Sequence, residues 1–218
     1  MSTVALQSDI ETRWISASGT LVNLVFAAIL WLFLLRAQHY RPAIRYFLVL
    51  ALAGNLFTGT GYFCFSGVFN FGDWAAVIQD LHPHWMWRVG LVLLGAASYY
   101  VSVLLVRDQL RQFRGDAETP RRFRALCWTP YFTDGILAGV AGLLNPTGLF
   151  YVVASALPST LGANAGLLSL PSMLRGETTS EEKPVEPIRR SASWIAVGAI
   201  ASLLFILVLG GGITWLRR

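Results

Sequence analysis

The residues with most capacity for chemistry lie close together between two apolar stretches. The segment FNFGDWAAVIQDLHPHWMW, residues 69 to 87, holds Asp73, Asp80, His82 and His84 among three tryptophans. A carboxylate at the end of an apolar, glycine-containing stretch is costly unless it is paired, solvated or bound to a cation, which makes Asp73 the first residue to ask about. The plainer role for Asp73 is to cap a short helix starting at Trp74, a position that suits aspartate. His82 and His84, two residues apart around Pro83, could join Asp73 as nitrogen and oxygen ligands of zinc or a similar ion. Histidines beside Trp85 also serve as interfacial residues. Further along, Asp134 precedes Gly135 where a helix N-terminus favours a carboxylate. The pair Asn145-Pro146 breaks an apolar run and would open a polar path there. No HExxH, Walker, GxSxG, GxGxxG or CxxC pattern occurs, and Cys64 and Cys127 have neither disulfide-framework nor zinc-knuckle spacing.

The elements that must hold these residues are set by composition. Of 218 residues, 55% are hydrophobic and 13% charged, where a soluble domain carries about 25% charged residues. With a mean hydropathy of +0.54, the sequence predicts an all-α, multi-pass transmembrane helical bundle of about five spans. Those spans lie near 19–35, 46–68, 89–106, 131–157 and 193–218, each approaching the ~20 apolar residues that cross a bilayer. Residues 1–18 read as a polar N-terminal tail, and 69–81 as a re-entrant or interfacial piece. The apolar stretch 161–170 is only about half the length of a crossing and reads as interfacial or packed against the fourth span, within a membrane core over 19–172. Residues 173–192, charged and proline-containing, have the composition of a flexible linker before the C-terminal helix.

Net charge is +5, but the basic residues sit beside apolar segments rather than among stacking aromatics, so nucleic acid is not expected as a partner. Counted on alternate sides of five spans, eleven Lys and Arg residues lie on the side of 36–45, 107–124 and the C-terminus, and six on the other. The positive-inside rule then predicts a cytoplasmic C-terminus in a plasma (inner) membrane. The expected partners are the lipid bilayer and other membrane proteins.

Three stretches read in series carry a likeness to a known family. They are Ser16-Ala-Ser-Gly-Thr-Leu-Val-Asn23, Asn55-Leu-Phe with GYFCFSGVFNFGDW ending at Trp74, and the third span. Together they resemble the site-2-protease-like (M50-type) membrane zinc metallopeptidases. In that family an HExxH helix comes first, an AxGPxxN segment follows, and a later asparagine-containing helix ends in an Asp-Gly motif whose aspartate is the third zinc ligand. The resemblance implies that Gly19 and Asn23 match AxGPxxN, with Thr20 in place of proline. It further implies that Asn55 and Gly72 support the site and that Asp73 is the metal ligand, here in the order Gly72-Asp73.

The HExxH helix has no counterpart before Ser16. Zinc is therefore expected only if the missing histidines are supplied, and no residue of this chain is assigned a catalytic role. The resemblance thus implies either a chain whose start is truncated or a non-catalytic member. A different function class is also open: a small transporter or channel subunit whose polar path runs by Asp134, Asn145 and Pro146, or a scaffold binding other membrane proteins through its glycine faces.

Overall fold

A computed structural model describes residues 3–36, 39–113, 120–144, 149–174, 188 and 191–209. It is helical throughout, with no strand among the described residues. The elements in order are α1 (Thr3–Arg36), α2 (Pro42–Phe69), α3 (Asp73–Ile78), α4 (His84–Leu110), α5 (Pro120–Leu143), α6 (Leu149–Tyr151), α7 (Gly166–Met173) and α8 (Ala192–Leu204). They fall into two compact units, Met1–Arg111 and Gln112–Arg218.

Glu11–Arg36, α2 and His84–Phe113, which lie in the first unit but for the last two residues, are each long and apolar enough to cross a membrane. They correspond to the first three predicted spans. Many of their large side chains, such as Phe26, Leu93 and Val101, are exposed, as suits helices whose outer faces meet lipid. α2 starts with Pro42 in its first turn, where the missing N–H is no loss. It ends at Asn70 in the left-handed conformation, φ 51°, a role that asparagine shares with glycine. The last carbonyls of α2 are met by α4: Arg88 donates from Nε to the Gly67 carbonyl at 3.0 Å and from Nη2 to that of Val68 at 2.8 Å. One helix thereby supplies the cap that the other's own chain lacks.

Close approach of α2 and α4 depends on glycine. A Cβ on Gly95 would stand 2.5 Å from the Cys64 backbone nitrogen and 2.8 Å from its Sγ. Above this contact Thr60 Oγ1 and Ser102 Oγ, both buried, lie 3.5 Å apart, and Phe57 packs against Tyr99 with ring centroids 5.2 Å apart.

Two stretches take a regular form that the sequence reading left open. Residues 3–18, read as a polar N-terminal tail, are helical and continuous with α1, and Arg13 from that stretch pairs with Asp80 at 2.8 Å. The polar residues there lie along a helix anchored at its side, which polarity alone does not reveal. Residues 69–81, expected as a re-entrant or interfacial piece, fold back onto the neighbouring helices. They make a left-handed turn and the short helix α3, which packs by Trp74, Val77, Ile78 and Leu81 against Phe63, Leu91 and Leu24.

In the second unit α5 begins at Pro120, about ten residues before the predicted fourth span, and carries Pro130 within it. It ends at Leu143, so 131–157 is not one continuous helix. Residues 152–165 continue as short π-type and 3-10 turns leading into α7, which gives the stretch 161–170 a helical form. Of the predicted linker, Ile188 accepts from Arg122 Nη2 at 2.7 Å; 175–187, 189 and 190 lie outside the described residues. α8 is started by Ser191, whose hydroxyl accepts from the Trp194 N–H, and the apolar helix runs over Ala192–Val208.

Candidate functional site

The first unit brings together two of the stretches singled out in the sequence. Gly19 of α1 faces the Asp73 carboxylate: a Cβ at Gly19 would lie 4.0 Å from Asp73 Oδ2. One residue on, Thr20 Oγ1 accepts a 2.9 Å hydrogen bond from Trp74 Nε1. Thr20 is 3% exposed, so this bond is made in an apolar setting, where losing it is costly. Trp74 in turn lies over Phe63 of α2, centroids 4.7 Å apart. Thus α1, α2 and α3 meet around residues 72–74.

The backbone at this point admits only glycine. Gly72 has φ 88°, and a Cβ on it would stand 2.7 Å from the Tyr62 hydroxyl and 3.6 Å from Ser66 Oγ. The Tyr62 hydroxyl oxygen also accepts a hydrogen bond from the Asp73 backbone N–H. Ser66 is fully buried, and its hydroxyl has no hydrogen-bond partner among the described residues. The Gly72-Asp73 order, reversed from the resembled motif, therefore has a local reason: the glycine makes the turn against Tyr62, and the aspartate follows as the first residue of α3.

Asp73 does not cap α3. The N-cap is Gly72 and no side-chain cap bond is formed, so the carboxylate remains directed toward Gly19. Burial raises its pKa above the usual carboxylate value, the direction desolvation drives any acid.

The histidines do not join it. His84 places Nε2 3.0 Å from Asn70 Oδ1 and Nδ1 3.3 Å from the Ile78 carbonyl oxygen, so both ring nitrogens face protein partners and His84 acts as a brace across the α2–α4 connection. Among the described residues no three His, Cys, Asp or Glu side chains are grouped to hold a metal. A zinc ion needs three or four such ligands. The residues present around Asp73 therefore do not fit a zinc site by themselves, and no metal-dependent step follows from them.

The remaining candidates are scattered. Asn23 lies on α1 one turn beyond Gly19, with its Cβ 3.5 Å from where a Gly59 Cβ would be. Asn55 donates from Nδ2 to Ala51 O of its own helix at 2.8 Å. At 1.5 Å per residue it stands roughly 20 Å along α2 from Phe69, so it does not share the surroundings of Asp73. Asp134 lies in mid-α5 rather than at a helix start, because α5 begins at Pro120, fourteen residues earlier; its Oδ2 accepts from Asn164 Nδ2 at 2.8 Å. Asn145 and Pro146 lie outside the described residues.

Tyr62, Ser66 and Arg88 were not signalled by sequence pattern, and Thr20 entered only as the residue in place of a motif proline. Of these only Arg88 offered a hint, as a lone cation at the start of an apolar stretch. Compared with known protein families, curated proteins and solved structures, the chain has no match.

Proposed function

We propose that the chain is an integral membrane protein built like the core of a site-2-type metallopeptidase, in which Asp73 holds the position of that family's acidic metal ligand. On its own residues it works as a non-catalytic member. The observation that carries this reading is the meeting of Gly19-Thr20 with Asp73-Trp74. These two stretches resemble family motifs separately, are more than fifty residues apart in sequence, and are neighbours in space. A desolvated carboxylate with no capping bond also suits a group waiting for a cation.

In this reading α1, α2 and α4 are the first three crossings. The α5–α7 region and α8 supply two more, and the arginine distribution directs the C-terminus to the cytoplasm of an inner membrane. The partners are lipid and other membrane proteins rather than nucleic acid. Transport along a polar path past Asp134 is the competing reading. The Asp134–Asn164 hydrogen bond, with Asn164 Oδ1 buried and unpartnered among the described residues, is the observation in its favour.

The test supplies what the chain lacks. Purified chain alone is expected to hold far less than one zinc per molecule and to cleave no peptide. A fusion carrying an HExxH helix ahead of α1 is expected to hold one zinc, and Asp73→Asn in that fusion to lose it. A fusion that folds yet stays free of zinc, or one whose zinc survives Asp73→Asn, overturns the assignment of Asp73.

A further inference from the structure

In the second unit, one face of α5 forms an open groove of about 440 Å³ lined chiefly by Arg121, Arg124, Trp128, Thr129, Phe132 and Ile136. The spacing of three and four residues puts these side chains on one helical face. Their order along it is a gradient: two guanidinium groups, then an indole, then a phenyl and a butyl group. Among the described residues no acidic side chain lines the groove, so none of them supplies a counter-charge to its two guanidinium groups. Arg122, on another face, is spent on the Ile188 carbonyl.

The aromatic step is held in place from two sides. Arg124 lies with its guanidinium carbon 5.2 Å from the Trp128 ring centroid, a cation–π geometry. The Trp128 Nε1 donates to the Leu168 carbonyl at 3.4 Å, fixing the indole against α7. Below it Phe132 and Ile136 are exposed, the latter 65%. From Arg121 to Ile136 the helix rises roughly 22 Å, which matches half of the ~40–45 Å span of a bilayer with its headgroups. Tryptophan one turn below the charges stands where interfacial aromatics belong.

We propose that this groove binds one anionic glycerophospholipid, with its phosphate between Arg121 and Arg124 and an acyl chain along Phe132 and Ile136. The charge and the apolar wall act together: free phosphate would leave the wall unused, and a zwitterionic lipid would meet two cations with no net charge of its own. The site lies apart from Asp73 and goes beyond the proposed function, resting only on its membrane reading. Extraction of the chain from membranes by carbonate checks that reading separately, since an integral protein stays with the pellet.

The experiment is native mass spectrometry of the full chain in mild detergent, titrated with phosphatidylglycerol or phosphatidylcholine of equal chain length. One phosphatidylglycerol is expected to bind with at least about fivefold preference. Arg121→Gln with Arg124→Gln is expected to bring that preference down to parity, while Arg217→Gln with Arg218→Gln, which removes the same charge elsewhere, leaves it intact. If the double glutamine variant loses its helicity, Arg121→Gln alone keeps the Arg124–Trp128 stack and is expected to halve the preference. Equal binding of the two lipids by the unaltered chain, equal loss in the C-terminal variant, no loss in the Arg121 variant, or displacement of phosphatidylglycerol by millimolar inorganic phosphate would each overturn the proposal.

Discussion

Trp74 and Thr20 are joined by a 2.9 Å hydrogen bond between the indole N–H and the threonine hydroxyl. The bond ties α3 to α1 within the first unit, beside the Asp73 carboxylate. Thr20→Val keeps the shape and removes the acceptor, leaving a part-buried N–H unpaired. The expected loss is about 1–2 kcal/mol, read as a lower unfolding midpoint in detergent. Trp74→Phe in the Thr20→Val background is expected to cost less than in the unaltered chain, the mark of a direct coupling.

Asp73 gives a pH dependence whose sign is fixed by its raised pKa. Burial favours the neutral acid in the folded chain, so between the unfolded value near 3.8 and the higher folded value the native state holds more protons than the unfolded one. Stability therefore falls as pH rises through that window and stays lower above it. Asp73→Asn removes the charge. It is expected to unfold at a higher temperature than the unaltered chain at neutral pH, with the difference vanishing below about pH 3.8. Thermal unfolding of both proteins across that range tests this, and an unchanged difference at every pH would contradict it.

Two glycines on α4 are expected to respond in opposite directions. Gly95→Ala drives a methyl group toward the Cys64 backbone and is expected to cost about 1–3 kcal/mol, as overpacking does. Gly90 has nothing within 4 Å of where its Cβ would be, so Gly90→Ala is expected to gain up to about 1 kcal/mol from helix propensity alone. Comparing the two unfolding midpoints measures packing against propensity on one helix.

Arg88→Gln withdraws the side-chain cap from the end of α2. Charge-assisted bonds to carbonyls that are otherwise unmet contribute about 1.5–3 kcal/mol each, not additively. The variant is expected to lose about 2 kcal/mol and to show faster amide exchange at residues 70–72 before any change in α1. Arg13→Ala, which breaks the exposed pair with Asp80, is expected to cost no more than about 1 kcal/mol and to do so only at low salt.

Long uncharged runs made the three membrane-length helices legible in the sequence, because length and hydropathy alone decide whether a helix can cross. Neither the nearness of Gly19 to Asp73 nor the Thr20–Trp74 bond was legible, since the residues lie more than fifty apart in sequence and one hydroxyl in an apolar stretch carries no directional signal. α3 was hidden by its brevity: six residues cannot show a helical period, and its place is set by Trp74 and Ile78 packing on Phe63 and Leu91. The start of α5 was misplaced because the arginines at 121–124 look like a loop, yet Pro120 opens a helix there and the charged residues form its first turn.

The grip of Arg88 on the end of α2 also bears on the cost of placing these helices in lipid. A bare guanidinium next to an apolar stretch opposes entry into lipid, but here its donors are already occupied by carbonyls that would themselves resist leaving water. Each helix cancels a polar debt of the other. α2 and α4, joined through α3, thus satisfy these polar groups as a pair, which neither helix could do by itself.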